Sequence, residues 1–258
     1  LGSLIFAAWI SAFFLGMSGL PDPGHIGLVI LGVALLLLFI KQQGRSTHPL
    51  IHFQALRQNR IFSRSIIAGF LMYGANFPIV FLLSLYLQFI HQMPPSEAGQ
   101  LILIQTLMMV LLAPIAGRLS DRYEPRIIAT SGCFCFAVGF ASLLWIDMDT
   151  SIDLIIAALV ILGVGFGLFS SPNNNAAIGS ARKDRLSIAA ALLNLSRTMG
   201  NMMSTAIVMS LFSVSIGSAE IEPSQYPQLL WVIRVALAIS CCYALCAAYF
   251  SLTRGKVH

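Results

Sequence analysis

Charged residues are scarce in this 258-residue chain. Only 10% of its residues are Asp, Glu, Lys or Arg, whereas 57% are hydrophobic, and a soluble domain usually carries about 25% charged residues. The net charge of +5 is scattered. No basic patch carries interleaved aromatic residues, which argues against nucleic acid as a partner. The composition therefore predicts an integral membrane protein.

The chain also lacks the patterns that carry catalysis or bind metals. It contains no HExxH motif, no P-loop and no Ser-His-Asp set. Its five cysteines lie in apolar runs without a CxxC pair, so we interpret them as buried reduced thiols. The glycines at 163, 165 and 167 lie inside an apolar run, which predicts close helix packing rather than dinucleotide binding. We predict no catalytic residue, no metal site and no cofactor.

Apolar runs of the length that crosses a bilayer as a helix occur eight times. We place them at about 1–20, 25–41, 65–90, 96–117, 127–146, 151–172, 188–213 and 228–252. These runs are too long for barrel strands, and only helices and closed barrels span lipid. Ser96 and Ser151 are expected to cap the fourth and sixth spans. The predicted fold is an all-α integral membrane protein with eight transmembrane helices.

The connectors between these spans alternate in charge. Lysine and arginine fall in the connectors 41–64, 118–126, 182–185 and 254–256, with Arg197 and Arg234 as the exceptions. The opposite connectors hold only acidic charges, at Asp22, Glu97, Asp147, Asp149, Asp153, Glu220 and Glu222. Basic connectors stay in the cytoplasm, and Trp145 and Trp231 fall where an outer aromatic belt is expected. Both ends of the chain are therefore predicted to be cytoplasmic.

Polar side chains inside the spans are the candidates for function, because they are costly there. Asn194, Arg197 and Asn201 recur at three- and four-residue steps and share one face of the seventh span. Arg197 lies roughly 13 Å from the helix start at 1.5 Å per residue, which is deep enough to require a wet cavity or a partner. The third and fourth spans add Tyr73, Asn76 and Gln105. We interpret these six residues as candidate cavity or substrate residues; hydrogen bonding between helices is the structural alternative.

Two further expectations concern charged residues, and a third concerns the connector 41–64. No aspartate or glutamate lies deep in a span, so this chain by itself carries no buried carboxylate for a proton relay. Arg234 is expected to snorkel to the outer interface, and Arg254 is expected to lie in the terminal connector. In the connector 41–64, a helix on the membrane surface is predicted from the apolar residues Ile51, Phe53, Leu56 and Ile61.

Ten residues with five charges join the fourth and fifth spans. Their sequence, Gly117-Arg118-Leu119-Ser120-Asp121-Arg122-Tyr123-Glu124-Pro125-Arg126, resembles the G-x-L-x-D-R-x-G-x-R hairpin of the major facilitator superfamily. Glu124 stands where the family usually has glycine, and a positive φ at that position would be costly. Further segments are similar to those of the fourteen-helix drug:proton antiporters of the EmrB/QacA kind, namely His48-Pro49-Leu50, Tyr86-Leu87-Gln88, Ser96-Glu97-Ala98-Gly99, Pro172-Asn173-Asn174 and Asn194-x-x-Arg197-x-x-Gly200.

The resemblance implies a domain order and a function. Residues 1–41 would be two linker transmembrane helices, 42–64 a cytoplasmic basic linker, and 65–258 the C-terminal six-helix transporter bundle. The chain would be the C-terminal half of a proton-coupled multidrug efflux antiporter in a bacterial inner (plasma) membrane. Such a protein would export drugs or amphipathic compounds by alternating access. Its implied partners are membrane lipid, a small-molecule substrate, an N-terminal six-helix half that this chain does not contain, and a periplasmic adaptor. The cytoplasmic gating hairpin would consist of Gly117, Arg118, Asp121, Arg122 and Arg126.

Other functions remain open at this point. A facilitator-type exporter could carry a narrower substrate, such as a siderophore, a sugar or another metabolite. The chain begins in an apolar span, which keeps a non-transporting fragment as an alternative. A membrane enzyme is less favoured, because the acidic residues are dispersed over separate connectors instead of clustering with histidine at one interface.

Overall fold

The computed structural model describes residues 2–19, 22–45, 59–182, 185–216 and 222–256, and all regular structure in these ranges is helical. The helices are α1 Gly2–Ser18, α2 Pro23–Arg45, α3 Arg60–Leu85, α4 Pro95–Arg122, α5 Pro125–Leu143, α6 Ile152–Gly179, α7 Leu186–Ser215 and α8 Tyr226–Thr253. A π-helical turn, Tyr86–Ile90, extends α3, and a short 3-10 turn, Pro223–Gln225, precedes α8. Each helix coincides with one predicted span, which confirms the all-α fold.

Five of the described helices are long and apolar enough to cross a membrane by length and composition, namely α3, α4, α5, α6 and α8. The linker pair contains shorter apolar segments, Leu4–Gly16 in α1 and Pro23–Phe39 in α2. The 30-residue helix α7 is not among the five. It is the helix that carries Asn194, Arg197 and Asn201, and these polar residues lower its mean hydropathy.

Helix ends show where the predicted caps hold. Ser151 caps α6 as predicted, since its hydroxyl accepts a hydrogen bond from the backbone N–H of Leu154. The prediction for Ser96 is wrong, because α4 begins one residue earlier at Pro95, and proline suits the first helical position. Asn59 caps α3 by accepting from the N–H of Phe62, and its amide also donates to the carbonyl of Ser180 at 2.7 Å.

The ten-residue hairpin between the fourth and fifth spans is mostly helix, which corrects the predicted loop. Helix α4 continues through Arg122, and only Tyr123 and Glu124 separate it from α5. Glu124 has φ −56° and ψ 115°, so the expected cost of a positive φ does not arise. Similarly, α6 runs past its predicted end at 172 as far as Gly179. Hydropathy marks where a helix leaves the apolar region, whereas backbone hydrogen bonding continues into the polar residues that follow.

Glycines set the closest helix contacts in the bundle. Helix α6 packs against α5, α4 and α3, and α8 packs against α5 and α3. A Cβ on Gly132 would lie 2.7 Å from the Gly165 carbonyl oxygen, and a Cβ on Gly165 would lie 2.9 Å from the Gly132 carbonyl oxygen. Gly163 and Gly167 face α4 in the same way. The packing role predicted for the three glycines is therefore confirmed.

The two ends of the bundle differ in charge, and we name them the basic end and the acidic end. At the basic end, Arg64 donates to the Thr253 carbonyl, which brings the start of α3 to the end of α8. At the acidic end, Arg234 lies 3.7 Å from Asp147, and Trp145 is 86% exposed beside it. The alternate connectors therefore share an end of the molecule as the charge pattern predicted. Which end faces the cytoplasm stays a prediction.

Several predictions meet other outcomes in the structure. Cys133 is buried and Cys135 and Cys241 are half-buried, but Cys242 and Cys246 are exposed, so the prediction of uniformly buried thiols is wrong. Burial depends on which face of α8 meets its neighbours, and apolar surroundings in the sequence do not report that face. His48-Pro49-Leu50 and most of the predicted surface helix lie outside the described residues. The domain boundaries within 42–64 stay predictions.

Candidate functional site

Arg197 on α7 lies at the centre of a group of polar side chains from neighbouring helices. One terminal nitrogen, Nη2, donates to Asn174 Oδ1 on α6, and the other, Nη1, lies 3.4 Å from Asn194 Oδ1 on its own helix. The guanidinium carbon lies 5.0 Å from the centre of the Tyr73 ring on α3, which is a cation–π distance. Arg197 is half-buried. Three helices thus hold one cation part-way along the bundle, and we call these four residues the Arg197 cluster.

Close packing of α3 and α7 places Tyr73 beside Arg197. A Cβ on Gly200 would overlap the Phe70 carbonyl, so the two backbones touch at this level. The Tyr73 ring meets Phe166 edge-on with centroids 5.1 Å apart, and its hydroxyl lies 3.5 Å from Ser170 Oγ. Tyr73 is therefore held by α6 on one side and covers the guanidinium on the other.

A second pair joins α3 to α4. Gln105 Nε2 donates to Asn76 Oδ1 at 2.6 Å, and Gln105 is only 5% exposed. The other amide atom, Gln105 Oε1, is buried and has no hydrogen-bond partner among the described residues. Leaving such an acceptor unsatisfied costs about 1–3 kcal/mol.

The six candidate cavity residues are therefore only partly brought together. Tyr73, Asn194 and Arg197 are in direct contact, and Asn76 with Gln105 forms a separate pair. Asn201 lies on the same face of α7 as Arg197, but its side chain makes no hydrogen bond within the described part of the chain. Sequence reasoning missed Asn174, although adjacent asparagines in an apolar helix are an unusual pattern that could have singled it out.

Four of the gating residues lie at the basic end of α4, and the fifth, Arg126, lies in the first turn of α5. A Cβ on Gly117 would lie 2.9 Å from Ser171 Oγ, so the glycine allows α4 and α6 to approach closely. Nearby, Asn175 of α6 donates to Ser120 Oγ at 3.0 Å. The charged residues of the motif in α4 are exposed, and a shallow groove beside them is lined by Ile115, Arg118, Leu119, Asp121 and Arg122. In the residues that the structure describes, Asp121 has neither an ion pair nor a hydrogen bond.

Arg254, expected in a terminal connector, is fully buried, and this is the site that sequence reasoning missed altogether. Its Nη1 donates to Asn173 Oδ1 at 3.1 Å and lies 3.4 Å from Ser65 Oγ, while Nε and Nη2 have no hydrogen-bond partner among the described residues. Burial lowers the pKa of Arg254 to about 10, which leaves it charged at neutral pH; Glu124 favours the charged form and Arg126 opposes it. A buried charge next to the gating motif thus links α3, α6 and α8.

At the acidic end, Arg234 does more than snorkel. Its Nε donates to the Ile146 carbonyl at 2.8 Å, and Nη2 faces Asp147 at 3.7 Å. Tyr86, in the π-helical turn, donates to the Asp147 carbonyl at 2.5 Å, and His91 Nε2 lies 3.2 Å from the Tyr86 hydroxyl oxygen. These contacts hold the connector between α5 and α6 against the ends of α3 and α8.

The helical architecture and its polar residues indicate a class of protein. Within the described ranges no group of His, Cys, Asp or Glu could hold a metal ion, and the polar groups face one another across an apolar helical bundle. An apolar helical bundle with polar side chains part-way along its helices is the architecture of a membrane transporter domain. The model of the Major Facilitator Superfamily matches residues 1–205, so the chain belongs to that family.

Curated relatives in this family are transporters by name. The chain is 30% identical over 217 residues to the riboflavin transporter RibZ of Clostridioides difficile, with 83% of this chain and 47% of RibZ covered. It is 26% identical over 230 residues to a multidrug resistance protein B homolog of Mycobacterium tuberculosis, covering 86% and 42%. The chain thus spans less than half the length of these relatives.

A solved structure supports the fold. A bacterial homolog of the human lysosomal transporter Spinster, in an inward-facing and unoccupied conformation, superimposes with a TM-score of 0.63 at 14% sequence identity. The comparison covers 98% of this chain and 63% of that one. At this identity the likeness concerns the architecture alone, and it agrees with the family assignment.

Proposed function

We propose that this chain is the C-terminal half of a proton-coupled exporter of drugs or amphipathic compounds, in the fourteen-helix antiporter branch of its superfamily. In this proposal α1 and α2 are linker helices and α3 to α8 form the C-terminal bundle. The basic end faces the cytoplasm of a bacterial inner membrane. An N-terminal six-helix half supplies the rest of the cavity and the carboxylate that takes the proton, and a periplasmic adaptor is a further expected partner.

The Arg197 cluster is the observation that carries the proposal. It is built from α3, α6 and α7. The separate Asn76–Gln105 pair joins α3 to α4. Helices α5 and α8 contribute nothing to either group, so all the polar side chains come from four helices that can line one common face. A charged residue held part-way through an apolar bundle is expected to face a substrate pathway. The exposed charges at the end of α4 support a gate, since ion pairs near the surface are worth about 0–1 kcal/mol and can break and re-form in a cycle.

Dye efflux by the complete protein, expressed with its upstream half, tests the proposal. We expect Arg197→Ala to abolish efflux of the dye that the wild type exports, tested with cationic ethidium and anionic 1-pyrenecarboxylate. Membrane insertion should stay normal, because the variant removes only the central residue of the cluster. Arg234→Ala is the matched control, since it also removes an arginine from a membrane helix but leaves the cluster intact. Proton coupling is measured separately, as collapse of a pH gradient in everted vesicles on addition of substrate. Unchanged efflux in Arg197→Ala would remove the proposed role.

A narrower substrate is the second candidate, and the 30% identity to a riboflavin transporter favours it. Proteoliposomes that contain the complete protein and are loaded with riboflavin would distinguish the two. Transport of riboflavin without competition by ethidium or by anionic 1-pyrenecarboxylate supports the narrow exporter. Competition by either dye supports a broad one, and no movement of riboflavin or of the dyes supports the non-transporting alternative.

A further inference from the structure

The charge of Arg197 has no ion-pair partner among the residues that the structure describes. Arg234 lies 3.7 Å from the carboxylate of Asp147, and Arg254 is attracted by Glu124. The partners of Arg197, in contrast, are two neutral amide oxygens and an aromatic ring. Within the described residues no carboxylate forms an ion pair with it, and the sequence places every acidic residue near the ends of the helices.

In the described part of the chain, the Arg197 guanidinium has more N–H donors than hydrogen bonds. It carries five N–H groups, and in the described part of the chain the two contacts to Asn174 and Asn194 are the hydrogen bonds that it makes. The contact to Asn194 is long, at 3.4 Å, and Asn194 is exposed. A ligand oxygen that approaches at a normal distance would therefore replace a weak bond with a stronger, charge-assisted one.

An aromatic surface lies next to these donors. The Tyr73 ring covers one side of the guanidinium and meets Phe166 edge-on. Phe166 is buried and fixes the orientation of Tyr73, so a planar ring in a ligand can contact the half-buried Tyr73 ring at a favourable aromatic distance. An acidic substituent on that ring would then reach the N–H groups of Arg197.

From these contacts we infer that the Arg197 cluster selects organic anions, specifically planar aromatic compounds that bear a carboxylate or a sulfonate. The inference rests on the proposed function and specifies its substrate class. A half-buried charge whose partners are neutral attracts an opposite charge and repels a like one. A cationic substrate would place two positive charges together, whereas an anionic one supplies the missing counter-charge.

A matched pair of dyes tests the inference. 1-Pyrenecarboxylate and methyl 1-pyrenecarboxylate share one planar fluorescent ring system, but the first is an anion and the second is its neutral ester. Binding to the purified complete protein is measured by fluorescence anisotropy. We expect the free acid to bind about tenfold or more tightly than the ester, as one charge-assisted interaction requires. In Arg197→Gln the two affinities should fall to within about twofold of each other, while Arg197→Lys keeps a reduced preference for the acid.

Controls separate this inference from the proposed function. Arg234→Gln should keep the full preference, because its arginine lies at the acidic end. Equal binding of acid and ester by the wild type would overturn the inference, as would binding of neither dye; the first result is expected if a carboxylate of the upstream half neutralises Arg197.

Efflux of both dyes without a preference would leave the exporter intact and refute only the substrate class. A binding preference for the acid without efflux of either dye would refute the proposed exporter and leave the substrate class intact. If Arg197→Gln fails to fold, as judged by size-exclusion chromatography, the wild-type and Arg197→Lys affinities decide.

Discussion

Asn173 and Arg254 provide the sharpest test of the buried cluster at the basic end, because their two truncations should have unequal effects. Asn173→Ala leaves a fully buried guanidinium with no amide acceptor, and hydrogen bonds to charged groups contribute about 1.5–3 kcal/mol. The same change removes the bond from Asn173 Nδ2 to the Ser65 carbonyl. We expect a loss of about 2 kcal/mol or more in the free energy of unfolding.

Arg254→Met should cost much less. It removes the charge together with its desolvation penalty, and two of the guanidinium nitrogens already lack partners. Replacing a buried charge with an apolar side chain of similar size is often neutral or stabilising. We therefore expect Arg254→Met to change the free energy of unfolding by less than about 1 kcal/mol. In the double variant, the cost of Asn173→Ala should largely disappear, since residues in contact are not additive.

The assay is thermal unfolding of the purified protein in detergent, in a background where Cys133 is the one cysteine left. A thiol-reactive dye then reports exposure of the buried Cys133. A loss of about 2 kcal/mol corresponds to a Tm decrease of about 4–8 °C for a chain of this size. Ser251→Ala is the control, because it removes a neutral hydrogen bond to Thr130 at the same end of the bundle. If Arg254→Met lowered Tm as much as Asn173→Ala, the view of Arg254 as a costly charge that needs Asn173 would be refuted.

Three further predictions address the gate, the packing and the topology. Asp121→Asn should slow efflux without changing substrate affinity, because the exposed carboxylate acts on the conformational step; weaker binding at equal turnover in a transport and binding assay would contradict this. Gly165→Ala should lower the yield of monodisperse protein on size-exclusion chromatography, because its Cβ would lie 2.5 Å from the Phe136 amide nitrogen, whereas Gly99→Ala, with nothing within 4 Å, should have no adverse effect; equal yields would argue against a tight contact. Cysteines placed at Lys256 and Asp149 in a cysteine-free background should be labelled from opposite sides of the membrane by an impermeant thiol reagent, and labelling from the same side would reject the topology.

Comparison of particular helices shows what could be predicted and what could not. The span positions and the alternation of charge were found correctly, since both depend on properties of contiguous residues. The ends of α4 and α6 were placed too early, because their last turns are polar but remain hydrogen-bonded. Among the candidate site residues, the shared helix face of Asn194 and Arg197 was visible from their spacing, and the meeting with Tyr73 was not.

The amino-acid sequence by itself determined eight helices, their order and the separation of a basic end from an acidic end, because hydropathy and charge act locally along the chain. Tertiary structure alone decided that neighbouring asparagines serve different arginines, with Asn173 bound to Arg254 and Asn174 bound to Arg197. Successive residues on a helix point about 100° apart, so which partner each one meets depends on the helices packed around α6. The same packing placed Arg254, four residues from the end of the chain, inside the bundle.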